Sequence, residues 1–329
     1  MSIGREFVIL VEEIGFLQEM NDFVILLLGI VCAGFGGEFF VRGAVGIARW
    51  ARVSPGIIGA TVAAFATSSP ELSVAVNSAL AGRPQIALGD CLGSNVVNVA
   101  LILALALVIS GIQSPRDSVK RDFPMAMLAP LVTILLVIDG ELSRIDGCLM
   151  LGLFLLWMVA MVVEASKQRS AAGKILGARG GWLSLLASVA GLALLMVAGH
   201  LIVTGAKGIA ITYRLDAFVI GATLVAFGTS APELATVLIA KLRRHDEVGL
   251  GTILGSNIFN GLLVIAVAAV IHPITVHRGE VMVALVFGIV ALIFTYPPAD
   301  GFIRRWRGGV LLLLYAAYLL IVLQRGAAH

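Results

Sequence analysis

GATVAAFATSSPEL, residues 59–72, is followed at 89–98 by GDCLGSNVVN, and both return as GATLVAFGTSAPEL at 221–234 and GTILGSNIFN at 251–260. A single offset of 162 residues carries every landmark from the first copy to the second. Aligned without a gap from Ile58 to Asn98, 19 of 41 positions are identical. A fainter echo lies upstream, where Gly43–Ala48 meets Gly205–Ala210. The chain is an internal duplication, and its reading starts from that fact.

The medium that surrounds the duplication follows from composition. The 329 residues are 59% hydrophobic and 13% charged, with a mean hydropathy of +1.02. Soluble domains carry about 25% charged residues, and apolar runs of roughly 20 residues suffice to cross a bilayer. Such runs predict an all-α polytopic membrane protein with ten transmembrane helices, at 22–48, 55–80, 86–111, 122–138, 145–165, 182–211, 216–240, 247–271, 279–296 and 308–324. Basic residues test the count. Fifteen Lys and Arg fall in the loops of one side and six on the other, termini included, and positive residues favour the cytoplasm. Both termini are therefore expected outside the cytoplasm. Five helices per copy is an odd number, so the second copy enters the membrane inverted, an architecture of secondary transporters. The expected organisation is an amphipathic lead-in at 1–21, a first five-helix repeat at 22–165, a cytoplasmic linker at 166–181 and an inverted second repeat at 182–329. The lead-in is no signal peptide, because Glu12, Glu13 and Glu19 interrupt it.

Within the repeated motif, Pro70 lacks an N–H, so the Ala66 carbonyl loses its helical partner, and Ser69 before it is pushed from helical dihedrals. Pro232 does the same to Gly228 and Ala231. Broken helices at membrane depth are tolerated where the freed backbone lines a cavity. Each motif thus offers carbonyls, two hydroxyls and a carboxylate at nearly one level, and Gly93 permits unwinding beside the Ser94, Asn95 and Asn98 oxygens. The candidate ion ligands are Glu71, Glu233, Thr67, Ser68, Ser94, Asn98, Thr229, Ser230, Ser256 and Asn260. All are hard oxygen donors. Calcium takes six to eight of these, whereas zinc or copper calls for His or Cys. A carboxylate at the bilayer centre costs about 2.5–3.5 kcal/mol on insertion scales, and a divalent cation between Glu71 and Glu233 neutralises both. No histidine recurs with the repeat, which argues against a hydrolase, and no enzyme activity is expected. Ca²⁺ is the first choice of cargo, with Na⁺ or protons replacing it.

At these residues the chain resembles the sodium/calcium exchanger family of cation/calcium antiporters, whose two alpha repeats carry the same paired TSxPEL and GSNxxN segments. The compact prokaryotic members are closest in style. The resemblance implies electrogenic, alternating-access antiport, commonly three Na⁺ inward for one Ca²⁺ outward, across a prokaryotic plasma (inner) membrane. It also implies that Glu71 and Glu233 bridge Ca²⁺ with backbone oxygens at Thr67 and Thr229. Flanking Na⁺ sites pair Ser68 and Ser94 with Glu71, and Ser230 and Ser256 with Glu233, with Asn98 and Asn260 between. Asn260 stands where potassium-dependent relatives carry Asp, which disfavours potassium co-transport. Proton-coupled exchange of Ca²⁺ or another divalent cation, Mg²⁺ or Mn²⁺, is the alternative. A cation channel and a non-transporting ion sensor are the rival classes, disfavoured by the inverted repeat and by the lack of a signalling domain. No tightly bound cofactor, nucleic acid or obligate protein partner is expected, only the ions and the bilayer.

Other polar residues have blander readings. Glu38 precedes Arg42 by four residues, at ion-pair spacing on a helix, which leaves Glu71 and Glu233 without that partner; a structural pair with Lys207 is the competing explanation for them. His200 occupies the place of Glu38 in the second copy and reads as a packing residue. Asp90, just before GSN, reads as a helix-start cap, with contact with the ion path as the alternative. Asp139, Asp146, Glu280 and Asp300 read as solvated loop charges, and Cys32, Cys91 and Cys148 as small hydrophobes without metal-type spacing.

Overall fold

A computed structural model describes residues 3–82, 84–171, 181–212, 226–276 and 278–326. Among these residues, six helices are long and apolar enough to cross a membrane: Asp22–Ala51, Gln85–Ser110, Arg144–Gln168, Gly181–Ala198, Asp246–Ile271 and Arg305–Val322. The pair Pro55–Thr67 and Ser69–Leu80 makes a seventh if the bent pair is one span. Two further expected spans are helical but fall short. The Arg116–Leu136 helix begins with Arg116, Asp117, Lys120, Arg121 and Asp122, so only its later turns are apolar. The ninth expected span is the short apolar helix Val281–Thr295. The expected span 216–240 is described only from Ala226 onward, and the second GAT (221–223) and most of the 166–181 linker lie outside the described residues. The side chains of Lys207 and Glu280 do so too.

The first helix runs unbroken from Ile3 to Ala51. No proline interrupts it. Its Glu38 pairs with Arg42, as the spacing predicts, and also with Arg243, which ties it to the end of the Ala231–Leu242 helix. It packs along Gly181–Thr212 through small residues. A Cβ on Gly191 would stand 2.8 Å from the Gly36 carbonyl oxygen and from Phe40 Cα, and one on Gly36 would stand 3.0 Å from the Gly191 oxygen. Such stripes let helix backbones meet where lipid supplies no hydrophobic drive. The outward faces expose Phe23, Leu27, Val31, Phe35, Leu155, Leu156, Leu183 and Leu313, side chains that suit hydrocarbon.

Two short antiparallel pairings escaped the periodicity. Ile112–Gln113 pairs with Phe302–Ile303, and Glu141–Leu142 with Ile274–Thr275. Ile274 is the counterpart of Ile112 at the same 162-residue offset, so each pairing joins one copy of the duplication to the other. Two-residue strands carry no alternation to detect. Several charges also differ from their expected roles. Lys241 is no loop charge but is buried, bonding to Asp246 (3.0 Å) and the Gly111 carbonyl. Asp146 lies in the first turn of the Arg144–Ala171 helix and accepts from the Ser143 N–H (2.8 Å) and hydroxyl (2.7 Å). Asp139 and Asp300 are exposed turn residues, as expected, and accept from the Glu141 N–H (3.1 Å) and the Phe302 N–H (2.9 Å).

Candidate ion-binding site

Both TSxPE motifs break their helices as the prolines require, but one residue earlier than expected. The non-helical residues are Ser68 (φ −86°, ψ 7°) and Ser230 (φ −84°, ψ 5°), while Ser69–Pro70 and Ala231–Pro232 open the next helices. Proline is tolerated in a first turn, where its missing N–H would have had no intrahelical acceptor. The first break bends the chain by 44°. The GSN segments do not unwind at Gly93. Their irregularity follows one turn later, as π-helical turns at Val97–Leu103 and Phe259–Val264 that carry Asn98 and Asn260. A third π turn, Gly59–Ala63, covers the GAT of the first copy. Such turns cluster at functional sites in proteins generally.

Nine of the ten candidate ligands are buried, among them Glu71 at 1% exposure and Glu233 at 0%, and Thr229 is half-buried. Glu233 accepts from the Ser256 hydroxyl at 3.2 Å and from Ser68 at 3.5 Å, the outer limit for such a bond. Thr67 Oγ1 lies 3.4 Å from Ser256 Oγ. Ser68 thus faces the carboxylate of the other motif rather than Glu71, three residues along its own chain. The non-helical turn at Ser68 takes its side chain off the face that Glu71 occupies. The mirrored bonds do not form: Ser94 Oγ, Ser230 Oγ, both Glu71 oxygens and both amide atoms of Asn260 are buried and lack hydrogen-bond partners among the described residues. Buried polar atoms are ordinarily paired, so a buried carboxylate and hydroxyls left without partners suit a cation that supplies the missing interaction. Phe259, the residue before Asn260, packs on Phe154 (4.9 Å), Phe65 (5.8 Å) and Trp157 (6.0 Å).

Two further features lie outside the candidate ligand set. Asn95 and Asn257, counterparts in the two copies, exchange bonds across the duplication: Asn95 Nδ2 donates to the Asn257 carbonyl (3.3 Å) and Asn257 Nδ2 to the Asn95 carbonyl (3.2 Å). Asn98 Nδ2 donates to Asn257 Oδ1 (3.1 Å). Asn257 therefore fixes Asn98, and its recurrence in both GSN motifs was the available signal. Asn257→Ala leaves these buried groups unpaired and is expected to cost about 1–3 kcal/mol, read as a lower melting temperature of the purified protein. An unchanged melting temperature counts against the clasp. The second feature is Asp90. The helix starts at Gln85 with Pro84 as its cap residue, so Asp90 is not a helix-start cap. It sits in the second turn and accepts from Thr229 Oγ1 at 3.4 Å. Proline at 84 has its φ preset for a helix entry, which moves the start one turn ahead of the acid.

The sodium/calcium exchanger protein family model matches residues 21–163 and again 183–324. The chain belongs to the sodium/calcium exchanger family. The double match follows the two copies of the duplication. Among relatives of this family member, CaxA of Alkalimonas amylolytica, a candidate antiporter by its name, is 37% identical over 76% of this chain and 81% of its own length. The sodium/calcium exchanger MaX1 of Methanosarcina acetivorans is 28% identical over 92% of this chain and 98% of its own. The solved structure of the sodium-calcium exchanger NCX_Mj soaked with Na⁺ and Sr²⁺ is similar at a TM-score of 0.79 and 32% identity, covering 92% of this chain and 98% of that one. The family and its structures are membrane transporters, and this chain shares their fold and their apolar helices.

Proposed function

We propose that this protein is a secondary antiporter that exchanges Ca²⁺ for Na⁺ by alternating access, exporting Ca²⁺. The observation that carries this reading is the pair Glu71 and Glu233, repeat counterparts buried at two helix breaks. Hydroxyls and amides surround them, and the chain belongs to the exchanger family. Glu71 and Glu233 take the Ca²⁺, sharing it with backbone oxygens at Thr67 and Thr229. Four serines, Ser68 and Ser230 at the helix breaks and Ser94 and Ser256 on the GSN helices, take Na⁺ in its place, with Asn98 and Asn260 lining the middle. Two carboxylates neutralise one Ca²⁺ or two Na⁺, so a third Na⁺ makes the cycle electrogenic. One net charge is worth about 2.3 kcal/mol per 100 mV. The architecture is ten transmembrane helices in two inverted repeats, 22–165 and 182–329, joined by a cytoplasmic linker at 166–181. Both termini are extracytoplasmic in an inner membrane. The Gly-lined pair Ile3–Ala51 and Gly181–Thr212 slides across the ion core as the access switch.

The test is ⁴⁵Ca²⁺ uptake into proteoliposomes containing the full chain and loaded with Na⁺, against matched vesicles loaded with choline, with a pH-gradient arm. Uptake that requires internal Na⁺, and that accelerates when the inside is made positive, is the expected result. Uptake driven by the pH gradient without Na⁺ keeps the site and replaces the counter-ion with protons. Rapid uptake without any counter-ion makes the protein a channel and ends the antiport reading.

A further inference from the structure

We propose that Asp90 and Thr229 form an additional divalent-cation station beside the Glu71–Glu233 centre, present on one side of the membrane only, which loads Ca²⁺ from the extracytoplasmic face. The inference deepens the antiport reading above and rests on its orientation.

The duplication makes Asp90 conspicuous. Its counterpart is Thr252, whose hydroxyl is buried and donates to the Val248 carbonyl at 2.8 Å within its own helix. One copy therefore places a carboxylate where the other places a neutral hydroxyl engaged elsewhere. The counterparts Thr229 and Thr67 diverge with them: Thr229 donates to Asp90, while Thr67 meets Ser256. A third acid breaks the two-fold character of the site, and it does so at a single place.

The surroundings of Asp90 fit a cation ligand better than a structural acid. Its Oδ2 is buried without a hydrogen-bond partner among the described residues. No Lys or Arg among those residues pairs with it; the ion pairs there involve Glu38, Asp122 and Asp246. One turn onward on the same helix face is Ser94, whose buried hydroxyl is also unpartnered. Glu71, at 1% exposure and with both oxygens unpartnered, has Asp90 and Glu233 as its charged neighbours. No three carboxylates among the described residues converge on one point, so Asp90 adds a separate stop rather than a third ligand to the central ion. Carboxylate and hydroxyl oxygens in series suit a hard divalent cation that sheds its waters stepwise.

Direction follows from place along the helix. Asp90 stands four residues nearer the Gln85 end than Ser94, about 6 Å along the axis. In the proposed orientation that end is extracytoplasmic. Ca²⁺ arriving from outside meets Asp90 before Glu71, whereas Ca²⁺ arriving from the cytoplasm meets Thr252 and finds no matching acid. The consequence is an asymmetry of apparent Ca²⁺ affinity between the two faces.

The experiment measures the half-saturating Ca²⁺ concentration for exchange at each face, using right-side-out and everted vesicles carrying the full chain, for wild type, Asp90→Asn and Asp90→Glu. Asp90→Asn is expected to raise the half-saturating Ca²⁺ by about ten-fold at the outer face, the scale of losing a supporting ligand. It leaves the inner-face value and the rate at saturating Ca²⁺ unchanged, and Asp90→Glu restores the outer-face value. Equal shifts at both faces, no shift, or a fall in the saturated rate alone overturn the station. Failure of the antiport reading shows instead as wild-type vesicles without Na⁺-dependent flux. Equilibrium ⁴⁵Ca²⁺ binding to the solubilised full chain then decides: affinity lowered about ten-fold in Asp90→Asn supports the station, and unchanged affinity overturns it.

Discussion

Glu71→Gln and Glu233→Gln each abolish Na⁺-driven Ca²⁺ uptake, lowering it by about 100-fold or more. Loss of a mere supporting group at a metal site costs roughly 10–100-fold, and each substitution removes a charged ligand. The exchange also depends on charge balance, because a site with one carboxylate cannot neutralise a divalent ion. The two variants differ in stability, however. Glu71 makes no hydrogen bond with a described residue, so Glu71→Gln forfeits none and melts at or above the wild-type temperature. Glu233 accepts from Ser256 and Ser68. Its Gln variant keeps at most the neutral form of those bonds, which are roughly half as strong, and gains less. The readouts are ⁴⁵Ca²⁺ uptake and thermal melting of the purified protein with and without Ca²⁺. Normal uptake by either variant would falsify the assignment of the central pair.

Gly255→Ala is expected to destroy most of the folded yield. Gly251 and Gly255 lie on the Asp246–Ile258 helix where it crosses the Pro55–Thr67 segment. A Cβ on Gly255 would stand 2.6 Å from Ala64 Cβ, and one on Gly251 would stand 2.6 Å from the Gly56 oxygen and 3.0 Å from the Ala60 N–H nitrogen. From the other side, a Cβ on Gly59 would stand 2.6 Å from the Val248 oxygen. These obstacles are backbone or the first side-chain carbon, so no rotamer change relieves them and the helices must separate. Overpacking costs about 1–3 kcal/mol where side chains can adjust, and more where they cannot. This crossing also sets the distance between Ser256 and Thr67. Gly152→Ala, on the exposed face of the Arg144–Ala171 helix with nothing within 4 Å, is the control. It is expected to be neutral or stabilising by up to about 1 kcal/mol, since alanine is the better helix former. Detergent-solubilised yield and melting temperature measure both. Equal behaviour of the two variants would show that the crossing is not the tight contact described.

The motif residues illustrate how far spacing reaches. Pro70 and Pro232 announced the helix breaks, because a missing N–H acts wherever the chain is. The burial of Glu71, Glu233, Ser94, Ser256, Asn98 and Asn260 was likewise readable, since polar groups in long apolar runs must face protein or an ion path. Partner choice was not. Ser68 bonds to a carboxylate 165 residues away, and nothing in the local period indicates which helix it will face. Asp90 reads as a cap for a related reason: acids often precede helices, whereas here Pro84 sets the start more than a turn before the acid.

The amino-acid sequence by itself determined that the protein is a duplicated, helical membrane chain with paired proline breaks and a store of hard oxygen donors. Each of those properties is local or a repetition of something local: hydropathy over a bilayer's width, a proline's missing donor, an offset of 162 residues. Tertiary structure alone decided which partners the matching residues of the two copies take. It placed Ser68 and Ser256 on Glu233 and left Glu71 unbonded among the described residues. It also joined Asp90 to Thr229 and clasped Asn95 to Asn257. The physical reason is that near-identical motifs can occupy unlike surroundings once helices cross. Hydrogen bonds between elements depend on differences of an ångström in that crossing, which no periodicity along the chain encodes.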